Sequence, residues 1–280
     1  MSTRNIFTKL SIASALLALA SISAAADQGK TMTWTIDGVK REALVFAPTV
    51  ETNIEKHPVI FAFHGHGGKM QNTADQMNFQ TVWPEAVVVY PQGLNGRHAV
   101  NNPNTNAPGW QLWPGEYDDR DLKLFDRMLE TMRQKFAVDN RRIYAAGFSN
   151  GAIFCYVLWA KRAPILAAIG PVAACLSNEL PPLDGEVSQP TELTQPLPVM
   201  HIAGLMDGAI LLEWQAETMS VDRKINGAPL KDGQACGDCC VLFPSSLQAP
   251  VKALFFTGGH EYPSWASAEF VKFFKAHKQT

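Results

Sequence analysis

A surplus of charge of either sign is what this chain most clearly lacks. Its 24 Lys and Arg stand against 26 Asp and Glu, a net charge of -2 over 280 residues. That balance leaves no electrostatic footprint for nucleic acid or for an anionic membrane surface. Low-complexity tracts and internal repeats are missing too. Cysteine is scarce, five in all, with Cys236, Cys239 and Cys240 in one C-x-x-C-C cluster and Cys155 and Cys175 far off. A zinc site needs four ligands at metal spacing, and the cluster has no second half. Long apolar runs are missing outside the start of the chain. There, residues 10–22 (LSIASALLALASI) form a run too short for a comfortable membrane span, with Arg4 and Lys9 before it. Small residues at Ala24 and Ala26 suit cleavage. These features predict a signal peptide over residues 1–26 and a mature domain over 27–280, secreted or periplasmic, with no membrane contact after cleavage. No cysteine follows the run, which argues against a lipoprotein. Outside the cytoplasm the cysteines can pair, and their odd number leaves at least one thiol unpaired or paired with another chain. Cys155, inside an apolar helical segment, is the candidate.

Residues 31–48 alternate around a DG turn and read as a hairpin. Six apolar runs of strand length follow, at 59–63, 86–90, 142–146, 167–173, 198–202 and 251–256. Continuous rather than alternating apolar character predicts strands buried on both faces, a mostly parallel sheet under helices. Residues 121–136 carry Leu122, Phe125, Leu129, Met132 and Phe136 at helical spacing, with Asp118, Asp119 and Asp121 at the start, where the dipole favours them. Residues 152–163 (AIFCYVLWAKRA) are apolar nearly all round, as a central buried helix is. Residues 266–277 predict a last helix. The fold class expected is a single-domain α/β sandwich.

Between the strand at 142–146 and the helix after Gly151 lies GFSNG, residues 147–151. G-x-S-x-G carries little weight alone. Placed between a strand and a helix, it is the sharp turn that exposes a nucleophilic serine. A serine hydroxyl is a weak nucleophile and needs a base, a carboxylate to orient that base, and donors for the developing oxyanion. In chain order serine, acid, histidine, the candidates are Ser149, Asp207 and His260. Asp207 lies a short loop beyond residues 198–202, and Glu213 is the reserve. His260 follows two glycines at the end of the last strand. The N–H of Asn150, at the helix start, is one oxyanion donor. The second is the N–H of His66, in the HGHGG loop (64–68) after the strand at 59–63. His66 precedes the serine, the wrong order for the base. His64 reads as structural, His201 as a core residue and His277 as solvated.

The set HGHGG, YPQG (90–93), DDRD (118–121), RRIYAAGFSNG, HIAGLMDG and GGHEYP resembles the secreted polyhydroxybutyrate depolymerase and feruloyl esterase family, related to carbohydrate esterase family 1. The marks run from about residue 59 to the C-terminus. The resemblance implies an α/β-hydrolase sandwich and a secreted serine esterase with no cofactor or metal. It maps the family triad onto Ser149, Asp207 and His260. Two positions depart from the family pattern: Ala203 replaces a histidine, and Tyr262 stands where tryptophan usually precedes the proline. Both touch substrate-side loops. The implied substrate is a phenolic or acetyl ester of polysaccharide, or a hydroxyalkanoate ester. An imidazole base implies activity that falls in acid.

Two long loops, 92–117 and 176–197, sit where substrate specificity is set. Trp110 and Trp113 in the first, and Tyr262 and Trp265 after the base, are candidates to stack on substrate. If residues 241–243 pair antiparallel with the last strand, Cys239 and Cys240 fall near its catalytic end, and Cys175 could bridge to them. Two readings compete with the esterase. One is a binding protein on a retired hydrolase scaffold, and it predicts a lost triad member. The other is a peptidase of the same fold, and it predicts an added propeller or cap. Neither feature is visible in the sequence.

Overall fold

The computed structural model describes residues 29–49, 55–96, 106–176 and 191–279. The expected signal peptide lies outside them, as do residues 97–105 and 177–190 of the two long loops. In chain order the elements are β1 (Lys30–Ile36), β2 (Val39–Phe46), β3 (His57–Phe63), α1 (Met70–Met77), α2 (Phe79–Val82), β4 (Val87–Pro91), β5 (Leu94–Gly96) and β6 (Ala107–Gly109). A 3-10 turn at Glu116–Asp119 leads into α3 (Arg120–Lys135), β7 (Val138–Phe148), α4 (Asn150–Arg162), β8 (Ala168–Val172) and β9 (Val199–Gly204). Then come α5 (Leu212–Ile225), β10 (Gln234–Gly237), β11 (Cys240–Phe243), β12 (Val251–Phe256) and α6 (Ala266–Lys275).

Ten of these strands form one sheet in the order β1-β2-β4-β3-β7-β8-β9-β12-β11-β10. The six from β4 to β12 run parallel, and the antiparallel pairs lie at the two ends. The parallel strands are the continuous apolar runs. β3, β4, β8 and β9 are buried along nearly their whole length because helices cover both faces. Alternate residues of one strand feed two separate cores. Phe61 and Phe63 of β3 join α3 and α4 on one side, while Ile60 and Ala62 join α1 and α6 on the other. This is the α/β-hydrolase sandwich that the sequence predicts.

Chain order reverses between β3 and β7. β4 lies on one side of β3 and β7 on the other, with Phe63 opposite Gly147. In an open α/β sheet the loops at such a reversal part from each other and leave a crevice at the carboxyl ends of the strands. The loop after β3 is HGHGG, and the turn after β7 is GFSNG. No helix among the described residues is long and apolar enough to cross a membrane.

β11 does pair antiparallel with β12, Cys240 opposite Leu254, as expected. The cysteine expectation is corrected in one respect. Cys236 bridges to Cys240 within the β10–β11 hairpin, and Cys175 is in no disulfide. Cys175 is buried in the core just past β8, separated from that hairpin by β9 and β12. Cys155 is a buried thiol, as expected, and Cys239 is an exposed one.

Candidate active site

Ser149 sits at the turn between β7 and α4 with φ 53° and ψ -124°. That conformation is costly for a residue with a side chain and persists only where its surroundings enforce it. Here they do. The Ser149 N–H is tied to Val172 O at 2.9 Å, and Ser149 O caps α4 by accepting from the N–H groups of Ala152 and Ile153. A Cβ on Gly147 would lie 2.4 Å from Gly151 O, and a Cβ on Gly151 2.4 Å from the carbonyl oxygens of both Phe63 and His64. Only glycine allows the strand, the helix and the neighbouring loop to approach so closely.

The three candidates of the sequence come together. His260 Nε2 lies 2.8 Å from Ser149 Oγ, and His260 Nδ1 lies 3.0 Å from each carboxylate oxygen of Asp207. Asp207 Oδ1 also accepts the N–H groups of Ala209 and Ile210, both at 2.9 Å. Burial alone would raise the Asp207 pKa. The bonds from His260, Ile210 and Ala209 outweigh it and hold the group below its ordinary value, as a carboxylate. Glu213, the reserve acid, is exposed on the first turn of α5. The His260 ring lies 5.0 Å from that of Phe148, which limits how far it can swing.

The loop after β3 lies against the serine. A Cβ on Gly65 would sit 3.4 Å from Ser149 Cβ. His64 is structural, as expected. Its Nδ1 donates to Gly65 O at 2.7 Å, and its Nε2 accepts the Gly93 N–H at 2.9 Å. Burial lowers its pKa to about 4 and keeps it neutral, so one nitrogen can donate while the other accepts. Gln92 adds a contact at 3.2 Å to His64 and another to Gly68 O. The YPQG segment is thus the latch of this loop, a role that sequence reasoning missed. His66 directly follows Gly65, and Asn150 directly follows Ser149.

Three of the expected substrate contacts are corrected. Trp110 has no exposed surface. Its indole N–H donates to His64 O at 2.9 Å, and its ring packs against Phe63 and Phe154. Its backbone exchanges two bonds with the Asn150 side chain, at 2.8 and 2.9 Å. Trp110 and Asn150 therefore bind the start of α4 to the neighbouring loop. Trp113 is buried in the same core. Tyr262 is buried with its hydroxyl on Ser267 Oγ at 2.7 Å. Each ring has its polar end satisfied or its face packed inside the protein, so none is free to receive a ligand. Trp265 is the partly exposed one, edge-on to Phe256. The acidic cluster also differs from a simple dipole effect. Asp121 is buried, paired with Arg41 at 2.7 Å, and accepts the Gln111 N–H. It anchors the loop that carries Trp110. His277 is half-buried on the Phe273 ring rather than solvated.

No family model matches the chain. Feruloyl esterase B of Piromyces equi is 25% identical over 173 residues, 61% of this chain and 30% of that protein. A probable feruloyl esterase C of Aspergillus terreus is 21% identical over 91% of this chain and 90% of that protein. The solved acetyl xylan esterase from Aspergillus awamori superposes with a TM-score of 0.61 at 12% identity, covering 88% of this chain and 99% of that one. The chain thus spans under a third of the length of the first relative and most of the second.

Proposed function

From an α/β-hydrolase fold and a distant kinship with feruloyl esterases, we infer that the protein is a serine carboxylic ester hydrolase. Its proposed substrates are feruloyl or acetyl esters of polysaccharide, with hydroxyalkanoate esters next, and it works outside the cytoplasm after signal cleavage. The observation that carries this reading is the position of His260, which touches Ser149 Oγ with one nitrogen and the Asp207 carboxylate with the other.

In the proposed reaction His260 Nε2 takes the Ser149 proton as Oγ attacks the ester carbonyl. Asp207 fixes the tautomer with hydrogen on Nδ1 and stabilises the imidazolium that forms. The backbone N–H groups of His66 and Asn150 receive the oxyanion, and the positive end of α4 adds to their field. His260 then protonates the leaving alcohol. The acyl group stays on Ser149 until water, activated by the same imidazole, releases the acid. Water apart, every group in the proposed reaction belongs to the chain or to the substrate.

The test is hydrolysis of methyl ferulate, an acetylated xylan oligomer and a hydroxybutyrate oligomer by the chain from Asp27, beside Ser149→Ala. Turnover of one of these by the wild type alone is the expected result, and the preferred ester names the substrate. A wild type inert to all three and to a simple activated ester would sink the esterase reading.

A further inference from the structure

Behind Asp207 lies a file of buried polar groups that the reaction above does not use. Gln215 and Asp222 stand seven residues apart on the inner face of α5, Tyr156 comes from α4 and His201 from β9. All four have no exposed surface. Gln215 Nε2 lies 2.8 Å from Ile210 O and 3.4 Å from Asp207 Oδ2. Gln215 Oε1 is 3.0 Å from His201 Nε2. His201 Nδ1 is 3.0 Å from Tyr156 OH, which is 2.9 Å from Asp222 Oδ2.

The first bonds of this file follow from Gln215, and the rest from where one shared proton sits. The Gln215 amide faces two acceptors, the Ile210 carbonyl and the Asp207 carboxylate, so its NH₂ must point there and its oxygen must point at His201. His201 Nε2 must then carry hydrogen. If the ring is neutral, Nδ1 is a bare acceptor and takes the Tyr156 hydroxyl proton. Asp222 Oδ2 can then meet the tyrosine oxygen only as a donor, so Asp222 is a carboxylic acid. The alternative puts that same proton on His201, leaving a cationic ring and a carboxylate separated by the tyrosine. The surroundings favour the neutral file. Among the described residues Asp222 Oδ1 is buried with no hydrogen-bond partner, a heavy cost for a carboxylate and a smaller one for an acid carbonyl. The adjacent cation among the described residues, Arg223, places its guanidinium on Met219 O, Ser220 Oγ and the Phe243 ring. The other titratable neighbours of Tyr156 are the thiols of Cys155 and Cys175. Burial lowers His201 to about 4 and raises Asp222, both towards the neutral forms.

We propose that this one-way file, Asp222 to Tyr156 to His201 to Gln215, positions the Asp207 carboxylate and does so as a chain of neutral groups. Gln215 is the positioning residue. It holds Ile210 by the carbonyl while the Ile210 N–H holds Asp207, and it contacts the second carboxylate oxygen directly. Asp222 sets the sense of the file from its far end. The inference rests on Asp207 being the carboxylate of the catalytic set.

Nitrogen NMR of the histidine rings in the wild type decides the proton order without any substrate. His201 should be neutral with hydrogen on Nε2 from pH 5.5 to 8. A ring with hydrogen on Nδ1, or on both nitrogens, overturns the neutral file. Gln215→Met should lower kcat on the preferred ester by about 10- to 100-fold with KM little changed, because the base loses alignment rather than the substrate its site. The low-field proton signal of His260 Nδ1–H should shift in the same variant. An unchanged kcat and an unmoved signal overturn the positioning role. Asp222→Leu should lower kcat, and Asp222→Asn, whose amide can donate to Tyr156 as the acid does, should recover most of the loss. If Asn is as poor as Leu, Asp222 acts as a charge and the proposal fails. If the wild type hydrolyses no ester, the esterase reading falls, while the ring tautomer and the His260 signal still decide the file.

Discussion

Gly151 shows how a single missing methyl group fixes a reactive geometry. Its backbone touches the last carbonyls of β3 and the first of the HGHGG loop, so the serine turn and that loop are pressed together. Gly151→Ala would place a carbon 2.4 Å from two backbone oxygens, atoms that cannot swing aside. The strain should destabilise the protein by about 1–3 kcal/mol, in the range of core overpacking. It should also cost more activity than stability, since the displaced backbone carries Ser149. Thermal unfolding and ester hydrolysis on the same variant check this, and an Ala variant as active as the wild type would contradict it. At this scale the sequence was most legible where chemistry constrains spacing. Ser149, Asp207 and His260 stand in one order at the ends of three recognisable strands. Trp110, Trp113 and Tyr262 were misread because an aromatic ring in a loop looks the same in sequence whether it faces ligand or core. For Trp110 the reason is Asn150, a buried amide at a helix start that takes its backbone as partner.

At the scale of elements, the apolar runs predicted the parallel strands to within a few residues, and residues 251–256 to the residue. The strand at β7 is longer than its apolar run because Val138 already pairs with His57, and the polar residues 139–142 lie in the register shift before Ile143 meets Val59. Helix α5 escaped notice for a physical reason. Its buried face carries Gln215, Thr218 and Asp222 among Met219 and other apolar residues, so the periodicity of hydrophobic residues is interrupted. Helix α1 is similarly polar. The β10–β11 hairpin was legible only in its second strand. Its disulfide closes a loop of sequence separation 4, so in the chain-entropy account it contributes about 2 kcal/mol. It lies at the end of the sheet, several strands from Ser149. Reduction should therefore lower the melting temperature slightly and leave ester hydrolysis unchanged. A loss of activity on adding reductant, with the fold intact by circular dichroism, would show that the hairpin reaches the site.

For the whole molecule, stability against pH is set by groups whose protonation differs between the folded and unfolded chain. His64 and His201 are held at about 4 against an ordinary 6.5, and burial lowers His66 and His277 in the same direction. Below pH 6.5 the unfolded chain therefore binds more protons at these four rings, and stability falls as pH drops towards 4. Two buried acids act in the opposite sense. Glu116 is raised to about 7 and Asp222 is raised also, so the folded chain holds protons that the unfolded chain releases. They offset part of the acid loss. Above pH 7 the histidines are neutral in both states and Glu116 is ionised in both, which leaves Asp222 and, towards pH 9, the Cys155 thiol that burial also raises. While Asp222 keeps its proton the folded chain holds one more than the unfolded, and stability should fall with rising pH. Maximum stability is expected near neutrality, with two limbs of different origin. Asp222→Asn carries no such proton and should make the alkaline limb shallower while leaving the acid limb in place. Urea unfolding of both proteins at pH 5, 7 and 9 measures this. Parallel alkaline limbs in wild type and variant would mean that Asp222 is already ionised in the folded protein. That outcome would also remove the donor at the head of the file behind Asp207.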